Sequence, residues 1–142
     1  MLDYSNPKDG QLDSEEALFY IVNLSHSRRD MPYISVWRPD CRGYAYPLSW
    51  AGKYPESEVR ASLFYFNCGE NVAVPCHVLD YMAIDPKPGL IDHDAGPVVP
   101  SSAANWRRLL ANTIEPTKRT PKPMYRGMPR VRRAKPGGPT ND

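Results

Sequence analysis

The sequence has no long hydrophobic run and few cysteines. No apolar run approaches the roughly 20 residues that a membrane-spanning helix needs, so we expect no membrane association. The three cysteines, Cys41, Cys68 and Cys76, are odd in number and lack a paired spacing, which favours reduced thiols over a disulfide framework. The acidic, polar N-terminus has neither the basic nor the apolar region of a secretory signal. These absences predict a cytoplasmic protein.

The common signatures of nucleotide and metal sites are also missing. The glycines Gly43, Gly52, Gly69, Gly89 and Gly96 are isolated, and neither a P-loop nor a G-x-G-x-x-G motif occurs. The available metal ligands lack the C-x-x-C or H-x-x-x-H spacing of a zinc site. These ligands are His26, Cys68, Cys76, His77, Asp92, His93 and Asp94. Asp92-His93-Asp94 is explained equally by a divalent-cation site or by Asx-turn chemistry. We predict no metal, no cofactor and no catalytic residue.

Two enzyme interpretations nevertheless stay open. Cys41 lies in a predicted turn beside Arg38 and Arg42, and neighbouring cations are a feature of reactive thiols. The segment 85–100 is a long loop for a compact domain and contains His93, but such loops also serve as surface straps. Because nothing in the pattern demands catalysis, we favour a non-enzymatic protein.

Proline and charge divide the chain into a body and a tail. Ten of the 16 prolines follow Asp85. Residues 1–114 carry ten Lys/Arg against fourteen Asp/Glu, a net charge of −4, whereas residues 115–142 carry eight against two, a net charge of +6. We therefore predict a flexible N-terminus at 1–13, a single domain at 14–114, and a Pro-rich, basic, extended tail at 115–142.

The aromatic residues indicate where the core lies, because eleven of the fifteen fall between Phe19 and Phe66. Alternating patterns predict strands at 17–24, 33–38, 44–50 and 71–74, with a hairpin at Pro39–Gly43. Apolar residues on both faces of the first strand indicate a central position, although a helix beginning at Ser14 is the competing interpretation. Helical spacing predicts helices at 56–66, 76–83 and 103–114. The fold class is therefore α+β: a mainly antiparallel sheet of three to four strands, packed with about three helices, plus the extended basic C-terminal tail.

The tail is the leading candidate for a binding site. Its cations are spaced along an extended backbone, an arrangement that suits phosphate contacts, and an aromatic residue among them suits stacking on a base. The predicted polyanion-binding residues are Lys118, Arg119, Lys122, Tyr125, Arg126, Arg130, Arg132, Arg133 and Lys135. A solubilising tail, or one that packs against an acidic protein, is the alternative interpretation.

A second group of residues is predicted to lie near one end of the sheet. This interaction patch consists of Arg28, Arg29, Trp37, Arg38 and Arg42. Arginine and tryptophan commonly anchor interfaces, but arginine stems that cover an aromatic ring explain the pattern equally well. The third strand also carries a row of apolar residues, which forms either a binding surface or, more often, the face that receives a helix. The row is Tyr44, Tyr46, Leu48 and Trp50.

Two segments, LSHSRRDMPYISVWRPDCRGYAYPLSWAGKY and IDHDAGPVVPSSAANWRRLL, resemble small uncharacterised proteins encoded by tailed phages and prophages. The resemblance covers about residues 16–114 and carries over no functional residue. It implies a host bacterial cytoplasm and an accessory role such as antagonism of host defence. We therefore predict a binding protein that contacts nucleic acid or a nucleoprotein through its basic tail. The alternative is a virion or assembly component whose tail threads along neighbouring protein subunits.

Overall fold

An antiparallel sheet with one long central strand organises the protein. The computed structural model describes residues 16–91 and 96–128. Its strands are β1 (Leu18–Asn23), β2 (Val36–Trp37), β3 (Tyr44–Ala45), β4 (Tyr54–Pro55) and β5 (Asn71–Pro75). Phe19 pairs with residues of both β4 and β5, and Val22 pairs with residues of both β2 and β5. Strands β2 and β4 therefore share one edge of β1, and β5 occupies the other.

Helices cover both faces of this sheet. They are α1 (Glu56–Ala61), α2 (Leu63–Phe66), α3 (Cys76–Met82) and α4 (Ala103–Leu110). Tyr20 and Val22 of β1 belong to a core that includes residues of α3 and α4. Phe19 and Ile21 belong to a second core that includes residues of α1 and α2. The α+β class and the mainly antiparallel sheet are confirmed, and β1 is the central, doubly covered strand that its sequence predicts.

The hairpin turn also agrees with the prediction, and a side chain caps the last helix. Strands β2 and β3 form the hairpin predicted at Pro39–Gly43, and the Arg38 backbone N–H donates to the Gly43 carbonyl at 2.8 Å. The hydroxyl of Ser102 caps α4 by accepting a hydrogen bond from the backbone N–H of Asn105 at 3.2 Å.

Among the described residues, no helix has the length and apolar character needed to cross a membrane.

Two predicted strands are shorter in the structure. Of the predicted strand 33–38, only Val36 and Trp37 pair with neighbouring strands, because Tyr33 turns instead to an antiparallel bridge with Pro100. The predicted strand 44–50 ends after Ala45, and a 3₁₀ helix follows at Leu48–Trp50. Proline at position 47 has no N–H to donate to a sheet, which is the physical reason for the early end.

Two predicted helices also differ from the observed ones. The helix predicted at 56–66 is interrupted at Ser62, whose φ of −141° and ψ of 49° are not helical. The helix predicted at 103–114 ends at Leu110. The backbone N–H of Ile114 donates instead to the carbonyl of Ala73 in β5, at 2.9 Å. This bond directs the following residues along the body.

Because β1 is buried on both faces, we expect its apolar residues to determine stability. Ile21 is 0% exposed, so Ile21→Ala should lower the free energy of unfolding by about 2–5 kcal/mol through lost burial and a cavity. Leu18 on the same strand is 43% exposed, so Leu18→Ala should change it by about 0.5 kcal/mol or less. Urea unfolding followed by circular dichroism measures both values, and equal losses would contradict the central position of β1.

Candidate nucleic-acid interface

Residues 115–128, called the strap below, contain neither helix nor strand and lie along the body. Near its start, the side-chain amide of Asn67 donates to the Glu115 carbonyl at 2.8 Å. The backbone N–H of Arg119 then donates to the carbonyl of Cys68 at 3.0 Å. The first half of the strap is therefore held by the segment that leads into β5.

The second half of the strap is held by the loop that follows β1. Arg29 donates to the Met128 carbonyl at 2.5 Å, and Arg126 donates to the Asp30 carbonyl at 3.0 Å. Between these contacts, the half-buried ring of Tyr125 packs against the core. A guanidinium has five N–H donors, so each arginine keeps donors for a further partner.

The strap approaches the body most closely at Gly69. This residue has a φ of +118°, a conformation that side chains with a Cβ rarely adopt. A Cβ at this position would also overlap the carbonyl oxygen of Arg119. Glycine is therefore required here both by the backbone conformation and by the contact with the strap.

Two open grooves follow the strap and meet at Met124. The first has a volume of about 710 Å³, and the second about 610 Å³. Together they are lined by six cationic side chains, called the basic surface below: Arg28, Arg29, Lys118, Arg119, Lys122 and Arg126. Two carboxylates, those of Asp30 and Glu70, lie on the same walls. Positive charge therefore predominates along both grooves.

The structure brings together members of the two predicted groups. The tail residues that line the grooves are Lys118, Arg119, Lys122 and Arg126. The interaction-patch residues that line them are Arg28 and Arg29. Tyr125 belongs to the strap, and its ring packs against the core and so helps to hold the strap in place. The predicted contacts at Arg130, Arg132, Arg133 and Lys135 lie outside the described residues.

The other three patch residues lie elsewhere. Trp37 is buried in the second core, where its indole N–H donates to the side-chain oxygen of Asn71 at 3.2 Å. The Arg38 guanidinium lies over the ring of Trp50, 5.2 Å from the ring centroid. Arg42 is exposed and lines neither groove. Of the five residues of the predicted interaction patch, only Arg28 and Arg29 therefore line a groove together.

An aromatic pocket of about 340 Å³ lies at the edge strand β3. Its wall is lined by His26, Ser35, Tyr44, Ala45, Tyr46, Pro47, Trp50 and Ile91. Tyr44 stacks on His26 with ring centroids 3.7 Å apart and makes a tilted contact with Trp37. Of the predicted apolar row, Leu48 faces the core, whereas the three aromatic residues line the pocket.

Sequence reasoning missed His26 as part of this pocket. Its position depends on Asn23, whose side-chain oxygen accepts from the His26 backbone N–H at 2.8 Å and from the ring Nδ1–H at 2.9 Å. With the proton on Nδ1, the Nε2 of a neutral ring is a hydrogen-bond acceptor. The signal in the sequence was the polar Asn23 at the end of an otherwise apolar strand.

The remaining candidates from the sequence are the metal ligands and Cys41. Across residues 16–91 and 96–128, no group of three or more His, Cys, Asp or Glu is arranged to hold a metal ion. The loop segment Asp92-His93-Asp94 lies outside those ranges. Cys41 is part of the β2–β3 hairpin, where its backbone N–H donates to the Tyr54 hydroxyl at 3.0 Å.

The close contact between Gly69 and the strap predicts that a larger residue at position 69 releases the strap from the body. Gly69→Ala should disfavour the docked strap by on the order of 1–3 kcal/mol, which corresponds to about 5- to 150-fold faster tryptic cleavage after Lys118. Gly89→Ala is the matched control, because Gly89 also has a positive φ, of +88°, but has nothing within 4 Å of an added Cβ. Equal cleavage rates in the two variants would show that the strap does not depend on this contact.

Two thiols should differ in reactivity because of their surroundings. Partial burial by itself would raise the pKa of Cys68, but hydrogen bonds from the backbone N–H groups of Asn71 and Glu70, together with Arg119, outweigh it and lower the pKa. Burial raises the pKa of Cys76 to about 11. At any pH below both values, Cys68 therefore has the larger thiolate fraction.

We accordingly expect iodoacetamide to label Cys68 faster than Cys76 at pH 7–8, as measured by peptide mass spectrometry. Removing the strap cation with Arg119→Gln should slow the labelling of Cys68 and leave that of Cys76 unchanged. Faster labelling of Cys76 in the wild-type protein would contradict this description of the two sites.

Comparisons of the chain with protein-family models, curated proteins and solved structures found no match. The resemblance to phage and prophage proteins therefore stays a prediction. Any functional conclusion depends on the geometry of the basic surface and the aromatic pocket.

Proposed function

We propose that this protein is a non-enzymatic binding protein that contacts nucleic acid, or the nucleic acid of a nucleoprotein, through the basic surface. The observation that carries the proposal is the docking of the strap. It places the tail cations Lys118, Arg119, Lys122 and Arg126 beside Arg28 and Arg29 of the body. Cations from the two ends of the sequence thus form one surface.

A phosphate backbone is the partner that such a surface suits best. Lysines and arginines along a groove release counterions when they neutralise successive phosphates, and arginine binds phosphate oxygens through two N–H groups at once. The body is acidic overall, with a net charge of −4 over residues 1–114. The basic surface and the rest of the basic tail therefore attract a polyanion more strongly than the body as a whole, which orients the partner.

The resemblance to phage and prophage proteins suggests the biological setting. We infer a bacterial cytoplasm and an accessory role, such as antagonism of a host defence complex that carries nucleic acid. Binding at a nucleoprotein would interfere with such a complex by occupying its phosphate contacts. This role needs no catalytic residue, cofactor or metal.

The test is the binding of the full chain to fluorescently labelled DNA and RNA across a salt series. With about five phosphate contacts, log K should fall with a slope of roughly −4 to −5 against log salt. Lys118→Glu/Lys122→Glu should weaken binding by about 10- to 100-fold at low salt and make the slope shallower by about 2. Fluorescence anisotropy measures both quantities.

Lys53→Glu/Lys87→Glu is the matched control, because it makes the same change in net charge at two exposed lysines that line neither groove. We expect it to change the affinity much less. Equal losses in the two double variants would mean that net charge, and not the basic surface, determines binding.

A shorter chain that ends at Met128 separates the surface from the residues after it. It keeps Tyr125 and the strap contacts, whereas a chain that ends at Ile114 would expose the core under Tyr125. If the full chain fails to bind any nucleic acid at about 50 mM salt, the proposal is wrong. The alternative is then an assembly component that binds protein subunits through its tail, and the oligomeric state becomes the next measurement.

A further inference from the structure

The aromatic pocket is suited to a flat ligand. Its volume of about 340 Å³ lies at the lower end of the range of about 300–1,000 Å³ found for small-ligand sites. Tyr44, Tyr46 and Trp50 supply aromatic surface, while His26 and the backbone of the edge strand β3 supply polar groups. A planar heterocycle that can stack and accept or donate hydrogen bonds fits these walls.

Besides His26, Trp50 is the exposed aromatic residue of this wall. Its side chain is 45% exposed, and the guanidinium of Arg38 lies over its ring at 5.2 Å from the centroid. This cation–π contact covers one face of the indole, and the remaining exposed surface of Trp50 is available to another planar group. The pocket therefore has a stacking surface whose orientation is held by a cation.

The pocket also adjoins the basic surface. His26 of the pocket directly follows Ser25, which lines the first groove, and precedes Arg28 of the second groove by two residues. Because Arg28 is only two residues from His26 along the chain, a phosphate held by Arg28 would lie near the pocket.

From this arrangement we propose that the aromatic pocket receives one unpaired base of a single-stranded nucleic acid whose backbone lies on the basic surface. The inference rests on the proposed function, and it narrows the partner from nucleic acid in general to a single strand. In a duplex, the bases are stacked and paired and so cannot enter the pocket without disruption of the helix. In a single strand, a base can leave its neighbours and stack on an aromatic side chain.

Four probes separate the contribution of the base from that of the phosphates. They are a single-stranded oligonucleotide of about 12 nucleotides, its duplex, an abasic strand of the same length, and free nucleoside monophosphate. The full chain should bind the single strand more tightly than the abasic strand, which offers the same phosphates without bases. Stacking of one base corresponds to about a 5- to 150-fold difference in affinity.

Substitution at Trp50 tests the pocket itself. Trp50→Ala should weaken binding of the single strand by about 5- to 150-fold and leave binding of the duplex and of the abasic strand unchanged. Trp50→Phe keeps an aromatic ring and should restore most of the affinity. Phe64→Ala is the matched control, because Phe64 is an aromatic residue on α2 that is 72% exposed and does not line the pocket.

Intrinsic fluorescence gives a second readout. The chain has three tryptophans, and of these Trp37 and Trp106 are buried. Quenching by a bound oligonucleotide should therefore come from Trp50. The single strand should quench it, the abasic strand should not, and Trp50→Phe should abolish the quenching while binding is retained.

The outcomes distinguish this inference from the proposed function. If all the strands bind through the basic surface but Trp50→Ala weakens none of them selectively, the pocket does not receive a base, and the proposed function stands. If the free monophosphate binds and none of the strands does, the protein has a site for a free nucleotide, and both proposals are wrong. If no probe binds at low salt, both proposals fail together.

Discussion

The side-chain hydrogen bond between Asn23 and Asn71 is the interaction on which the basic surface and the aromatic pocket depend. It joins the last residue of β1 to the first residue of β5 at 2.6 Å, in a buried setting where an unpaired amide would be costly. The oxygen of Asn71 also accepts from Trp37, and that of Asn23 accepts from His26. One polar cluster thus fixes the end of the sheet, and the loops that leave it line both grooves and the aromatic pocket.

The apolar and the polar residues of β1 and β5 have different roles in this arrangement. Their apolar residues stabilise the body, because they are buried between two helical layers. The polar residues at the end of β1 and the start of β5 orient groups that face solvent. The strap then adds its own charges to that end, through backbone hydrogen bonds near Cys68 and arginine contacts near Asp30. Different residues therefore stabilise the body and form the basic surface, and a charge on that surface can be changed without disturbing the core.

The sequence was sufficient for the fold class and for much of the core, because hydrophobic periodicity survives in β1, α3 and α4. It was insufficient wherever one residue ended a pattern, as Ser62 does between α1 and α2 and Pro47 does after β3. The site was predicted as two separate groups of cations, one in the tail and one near the sheet. Of the second group, only Arg28 and Arg29 line a groove together with tail residues. Which cations come together depends on contacts between distant parts of the chain. The place of His26 in the pocket likewise depends on Asn23, whose polar side chain at the end of an apolar strand was its signal in the sequence.

The arginine contacts of the strap also bear on how the protein is made. Arg29 and Met128 are 99 residues apart in sequence, and Arg126 and Asp30 are 96 apart. Contacts across such a separation close last, because the intervening chain must already be ordered. On the ribosome, a chain synthesised only as far as Ile114 has its sheet and helices but lacks the strap cations. The basic surface is therefore completed only after the body that supports it has been synthesised.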